Sequence, residues 1–233
     1  PPRSTLFPYT TLFRSIIFDS PAILVNRSSY KDELSNVRES IKELGKYELR
    51  KYELNRQKQI LSSKKDEKSK KRLKKLERFK TTSDYDFTHI LIADYRLNLL
   101  QVAPLLPYYD IDPNIVQFMG TGVIDDNTFF FEPSLQGAIY PGVHESRRIN
   151  IINNSFEIYN DEFLRISTLP YDLIGLLNFI YSKEYKLGDV VRLLDNTNKK
   201  FNGVDGSFYL KNNMIERDLN ILKINNGYSF VIN

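Results

Sequence analysis

The sequence has no cysteine, no tryptophan, two histidines and two methionines among its 233 residues. Without cysteine there can be no disulfide framework, thiolate zinc site or cysteine nucleophile, although the redox compartment stays open. The two histidines, His89 and His144, are far apart in sequence. Neither stands within a helical turn of a second ligand, so neither a metal site nor a Ser-His-Asp triad is expected. Ten glycines and ten prolines are too few for a collagen-like or low-complexity chain. No apolar run approaches the roughly 20 residues that cross a bilayer as a helix. An excess of one charge is lacking too. The 33 Lys and Arg against 29 Asp and Glu leave +4, too little by itself to name a nucleic-acid partner. What is present, 41 % hydrophobic and 27 % charged residues, suits a folded chain of one large domain or two small ones.

The chain opens on Pro1, and Thr5 to Ser15 reads TLFPYTTLFRS, with Thr-Leu-Phe occurring twice. Residues 3–15 resemble the in-frame translation of a sequencing adapter, and 1–15 are set aside from fold reasoning as non-native text. The expectation is that native sequence starts near Ile16 and that an N-terminal portion precedes it in the full protein.

Beyond this point the texture changes twice. Ala22 to Val25 reads as a buried strand ending at Tyr30. Residues 31–80 then hold 18 basic against 9 acidic side chains, a local charge of +9 that leaves the remainder at −5. Leu34, Val37, Ile41 and Leu44 recur at helical spacing, as do Leu73, Leu76 and Phe79. The pattern predicts an antiparallel helical hairpin, over 32–61 and 65–80, with a thin apolar seam and a solvated outside.

After the hairpin the pattern becomes α/β. Strands are predicted at His89 to Ala93, Ile115 to Met119 and Leu135 to Tyr140, with a helical stretch from Leu97 to Leu106 stopped by Pro107. Strands separated by helices imply parallel pairing. Helices are predicted over 154–165, 170–181 and 187–196, the second almost wholly apolar. Short strands close the chain at 208–210, 219–224 and 228–232, joined by turns at Asn212-Asn213 and Asn225-Asn226-Gly227.

Candidate chemistry is sparse. Gly120-Thr121-Gly122 follows a predicted strand, but the third glycine of a dinucleotide fingerprint is missing, so a plain strand-to-loop turn is the better reading. Asp110, Asp112, Asp125 and Asp126 could pair carboxylates for acid/base work, yet their surroundings read as ordinary turn chemistry. No enzyme activity and no cofactor are expected. The basic hairpin lacks the interleaved aromatics that bind single-stranded nucleic acid. Two readings stay open for it: a solvated helical face, or attraction to an anionic surface.

Three stretches stand in order along the chain: APLLPYYDIDP at 103–113 with MGTG at 119–122, LPYDLIGLL at 169–177, and FNGVDGSF at 201–208. Together they resemble the C-terminal half of the LppC-type penicillin-binding-protein activators, a bacterial branch of the type 1 periplasmic-binding-protein fold. The resemblance runs from about Tyr30 to the end. It implies an α/β fold with one parallel-sheet lobe over 16–145, into which the hairpin at 31–80 is inserted. It further implies a helical remnant of the other lobe over 146–202 and terminal strands over 203–233. One departure is that Asp94-Tyr95-Arg96 stands where relatives often carry a Gly-rich turn. Ligands of open α/β sheets bind outside the carboxyl ends of the strands, which singles out Tyr30, Asp94, Tyr95, Gly120, Thr121 and Tyr140 as cleft candidates. The function implied is non-enzymatic regulation of peptidoglycan synthesis in the periplasm, from an outer-membrane anchor, through contact with a peptidoglycan synthase. The alternative is a solute receptor that closes on a small polar ligand and serves a branched-chain amino-acid-type ABC transporter. A nucleic-acid partner is not expected.

Overall fold

The computed structural model describes residues 28–30, 34–94, 96–160, 167–195, 199–211 and 214–232. The adapter-like residues, the apolar run at 22–25, Tyr95, the last part of the helix expected over 154–165 and the Asn212-Asn213 turn lie outside them. The chain divides into two compact units, Pro1–Ile90 with Arg96–Gln117, and Leu91–Tyr95 with Phe118–Asn233.

The first unit contains helices α1 (Val37–Leu44), α2 (Tyr47–Ser62) and α3 (Glu67–Leu76). The single long helix expected over 32–61 is therefore two. The break falls at Gly45-Lys46, where Lys46 adopts φ +47°, and its cause is tertiary. A Cβ on Gly45 would stand 3.0 Å from the tip of the Ile111 side chain, so a larger residue at the corner between α1 and α2 would push that side chain aside by a few tenths of an ångström. Helix α3 starts at Asp66, whose carboxylate accepts from the Ser69 N–H at 2.8 Å and from the Ser69 hydroxyl at 2.9 Å. These two bonds satisfy first-turn donors and hold the Asp66 carboxyl below the usual carboxylate range.

Much of the hairpin is solvated, as its composition suggests, but the part around α1 and the start of α2 is built into a core. Val37, Ile41 and Leu54 are buried, and Arg50 is only 2 % exposed. The Arg50 guanidinium donates to the carbonyls of Gly45 (2.7 Å), Thr82 (2.9 Å), Tyr109 (3.1 Å) and Asp110 (3.1 Å), and to the Thr81 hydroxyl at 3.0 Å. It also lies 4.7 Å from the centre of the Tyr85 ring. Nη1 serves three of these acceptors with its two hydrogens, one of them shared, while Nε and Nη2 serve the others. The guanidinium thereby joins α2 to the segment 103–113, itself built on α4 (Arg96–Val102) and the single turn α5 (Leu105–Tyr108). Pro107 sits inside α5 instead of ending a longer helix. It is the third residue of that turn, where a backbone N–H has no intrahelical acceptor and its loss costs nothing.

Strands β1 (His89–Ile92) and β2 (Gln117–Gly120) carry the chain from one unit to the other. In the second unit α6 (Asn127–Phe130) and β3 (Ile139–Gly142) follow, then helices α7 (Ile149–Tyr159), α8 (Thr168–Ser182) and α9 (Leu187–Asp195). The third strand starts later than expected, because 133–135 forms a 3-10 turn after Pro133. Five short strands end the chain: β4 (Phe201–Gly203), β5 (Gly206–Lys211), β6 (Met214–Arg217), β7 (Asn220–Asn225) and β8 (Tyr228–Ile232). The fold is mixed α/β, with a sheet ordered β1-β2-β3-β7-β8 and a separate sheet ordered β4-β5-β6. Strands β2 and β3 are parallel, as strands on either side of a connecting segment should be, whereas β7 and β8 join antiparallel. The predicted turn at 225–227 is a two-residue hairpin, with Asn226 at φ +50° and Gly227 at φ +87°, the backbone twist that Asn-Gly favours.

The Arg50 junction generates a stability prediction. Arg50→Met keeps the apolar stem but orphans several buried carbonyls, and should destabilise the protein by at least about 3 kcal/mol in urea denaturation. Arg56→Met, at an exposed site on the same helix, should change stability by less than about 0.5 kcal/mol. Equal, small effects would mean that the hairpin is an independent appendage.

Candidate functional site

The densest polar assembly of the second unit is buried. Arg148 precedes α7, and its guanidinium donates to the Val143 carbonyl and to Asp205 Oδ1 through Nη1, both at 2.8 Å, and to Asp125 Oδ2 through Nη2 at 2.8 Å. All three charged side chains are less than one tenth exposed. The Tyr140 hydroxyl donates to the other oxygen of Asp125 at 2.8 Å. Burial pulls the Arg148 pKa down, but the charges of Asp125 and Asp205 outweigh it and leave the guanidinium above its ordinary value. A raised folded-state pKa means that the contribution is complete below the unfolded value and fades only as pH rises through the folded one. The guanidinium therefore stays charged throughout the neutral range.

A second ion pair adjoins the first. Asp172, on the inner side of α8, accepts from the Val204 N–H at 2.8 Å through Oδ1, while Oδ2 lies 2.8 Å from Arg217 Nη2. The latter is a charge contact without hydrogen-bond alignment. Arg217 also donates to the Asp205 carbonyl at 3.0 Å and covers the Phe208 ring at 5.3 Å. The β4–β5 hairpin thus feeds both pairs: Asp205 holds Arg148 by its side chain and Arg217 by its backbone. Glycine is needed on either side. A Cβ at Gly203 would collide with the Asp172 carboxylate, and one at Gly206, where φ is +92°, would stand 2.8 Å from the Val143 side chain. Gly203 and Gly206 bracket Asp205 in the sequence, and the positive φ that glycine tolerates is used at Gly206.

The cleft candidates occupy different surroundings. Tyr30 is half-buried in the first unit, and Asp94 is half-buried just past β1. Gly120 ends β2 against Ile124, 3.0 Å from where its Cβ would be. The Thr121 carbonyl accepts from the Ile124 N–H at 3.1 Å, so MGTG is a strand-to-3-10 turn. Tyr140 is 1 % exposed, a core residue whose hydroxyl serves Asp125. A shallow groove of about 390 Å³ in the second unit is lined instead by Phe130, Phe131, His144, Glu145, Tyr228 and Ser229 among others.

The acidic residues separate in the same way. Asp112 accepts from the Asn114 N–H at 2.8 Å and Asp126 caps α6 through the Thr128 N–H at 2.8 Å, as turn chemistry requires. Asp125 corrects the turn reading: it is an ion-pair partner in the interior. Arg148, Asp172 and Arg217 escaped sequence reasoning altogether. Asp172 left a signal, being the one charge in the apolar run LPYDLIGLL, since a charge on a helix that packs against a core must be paired. Both carboxylates around Arg148 are engaged in ion pairing, an arrangement suited to clamping and not to proton transfer. No group of three or more His, Asp or Glu that could hold a metal ion occurs among the described residues, and no described helix is long and apolar enough to cross a membrane.

No protein-family model and no curated protein sequence matches this chain. Solved structures with a similar course include a branched-chain amino acid ABC transporter protein from Rhodospirillum rubrum, 14 % identical, TM-score 0.46, over 56 % of this chain and 41 % of that one. The C-domain of LpoA from Haemophilus influenzae, a regulator of PBP1A, is 12 % identical at TM-score 0.44, over 72 % of this chain and 59 % of that one. The leucine-binding protein LivK from Thermotoga maritima is 14 % identical at TM-score 0.46, over 72 % and 49 %. The chain therefore spans between two fifths and three fifths of the length of these structures.

Breaking the buried clamp should be costly. Asp205→Ala strips Arg148 of one carboxylate and should destabilise by about 3 to 5 kcal/mol, as loss of one member of a buried ion pair does. Gly203→Ala should also destabilise, by displacing Asp172, and Asp172→Asn should not add its full cost on top, because neighbours in one network are not additive. Fully additive denaturation energies for that pair of changes would show that the two positions are not coupled.

Proposed function

We propose that this chain is part of a type 1 periplasmic-binding-protein-like domain that regulates peptidoglycan synthesis without catalysis, by contacting a peptidoglycan synthase. The observation that carries the reading is the two-sidedness of α8, the helix formed by LPYDLIGLL and its continuation. Its inner side is fixed by Asp172 to the FNGVDGSF hairpin, so two of the three stretches that resemble the penicillin-binding-protein activators join in one buried cluster. Its outer side presents Leu173, Ile174, Leu177 and Tyr181, the last 86 % exposed, with no charge among them. An uncharged apolar surface of that kind favours a protein partner over a small polar solute. The engaged carboxylates around Arg148 favour a binding role over chemistry.

The test is reconstitution. Purified chain is added to a bifunctional peptidoglycan synthase, and glycan polymerisation and cross-linking from lipid-linked precursor are followed. The expected outcome is a rate increase that saturates with chain concentration, with no turnover by the chain alone. Ile174→Asp with Leu177→Asp should weaken that effect by about 30-fold, the cost of removing a central apolar anchor of an interface. Saturable heat on titration with leucine, isoleucine or valine, with no effect on the synthase, would favour the receptor reading instead.

A further inference from the structure

The outer face of α3 takes no part in the packing described above. Residues 64–80 hold ten Lys and Arg against three acidic residues, and two of those acids are already engaged. Asp66 caps the helix, and Glu67 pairs with Lys70 at 3.2 Å. Helix α3 packs against α2 with its narrow side, where Ser69 is buried and Leu73 and Leu76 are half-buried. At 3.6 residues per turn, Lys68, Lys71, Arg72, Lys74 and Lys75 fan out over the remaining circumference, and all five are exposed. None of the ion pairs found among the described residues uses them.

We propose that this face docks the protein on the anionic phospholipid headgroups of a bilayer surface. Charge complementarity is the first reason. Each Lys or Arg near an anionic leaflet adds attraction, and the net −5 of the rest of the chain beyond the +9 segment at 31–80 turns the hairpin toward such a surface. Shape is the second. A convex fan of cations on a helix about 15 Å long meets a plane along its whole length. A single-stranded nucleic acid would instead call for a groove and stacking aromatics, and residues 64–78 contain no aromatic. The half-buried positions of Leu73 and Leu76 against α2 set the mode: adsorption by charge, reversible and salt-dependent, without the insertion that an interfacial helix with a free apolar face makes. The inference is independent of the proposed regulatory role.

Vesicle co-sedimentation of the full chain tests it. Binding to vesicles of phosphatidylglycerol in phosphatidylcholine is expected at low salt. It should be lost as the ionic strength rises from roughly 0.01 M to 1 M and the Debye length falls from about 30 Å to about 3 Å. Phosphatidylcholine alone should not bind. Lys68→Gln, Lys71→Gln and Lys75→Gln together should weaken partitioning by about 100-fold, each basic residue being worth about fivefold. Arginine at the same three positions should preserve it, and both sets keep good helix formers. Three results would overturn the proposal: equal binding to zwitterionic vesicles, partitioning unchanged by the glutamine set, or tighter binding to single-stranded RNA or polyglutamate than to anionic vesicles at matched salt.

Discussion

The second unit depends on one buried cation. Arg148 lies between the carboxylates of Asp125 and Asp205, and each comes from a different part of the chain: the turn after β2, the entry to α7 and the β4–β5 hairpin. Charges removed from water carry a desolvation penalty that only good geometry offsets, so these three segments are held to one arrangement at hydrogen-bond precision. Tyr140, at the centre of β3, and Arg217, at the end of β6, extend that constraint to both sheets. Through Arg217 and Val204 it also reaches Asp172 and hence the register of α8. The hub secures how the helices α7 and α8 leave the sheets.

A different arginine does comparable work in the first unit with no carboxylate at all. Arg50 is surrounded by carbonyls, and it supplies donors to those of Gly45, Thr82 and Tyr109, while the Asp110 carbonyl takes the Tyr85 hydroxyl as well. The consequence is a division of labour along the hairpin. The part near Arg50 belongs to a core, while α3, further out, keeps its cations in solvent. Composition alone averages these two regions into one basic stretch.

Exposure is distributed unevenly in the second unit. Of α8, only Thr168, Asp172 and Leu176 are buried, while Leu173, Ile174, Leu177 and Tyr181 face solvent. In α7 and α9, Phe156, Ile158, Leu187 and Val191 are exposed as well. The apolar character on nearly every side of α8 therefore exceeds what the packing of this unit uses. Polar anchoring on one side and apolar exposure on the other are the physical basis for reading the helix as a contact surface.

Periodicity and turn chemistry made much of the fold legible in the sequence. The helix at 168–182, the strand beginning at His89, the Asn-Gly hairpin between β7 and β8 and the Gly-bracketed turn at Asp205 all rest on local rules, a repeat of 3.6 or 2 or a need for positive φ, that a few neighbouring residues satisfy by themselves. The corner at Gly45-Lys46, the placing of Pro107 inside a turn and the pairing of Asp125 could not be read that way. Each depends on an acceptor or side chain distant in sequence: Ile111 against Gly45, a segment end that leaves Pro107 without an N–H to satisfy, Arg148 opposite Asp125. The sequence by itself determined roughly where most helices and several strands form and where charge accumulates, because those follow from local periodicity and composition; the division of the first helix and the strands β4 and β6 lay beyond it. Only the tertiary structure decided which charges are buried and paired, because the electrostatic cost of burial is offset by partners that come together through folding alone.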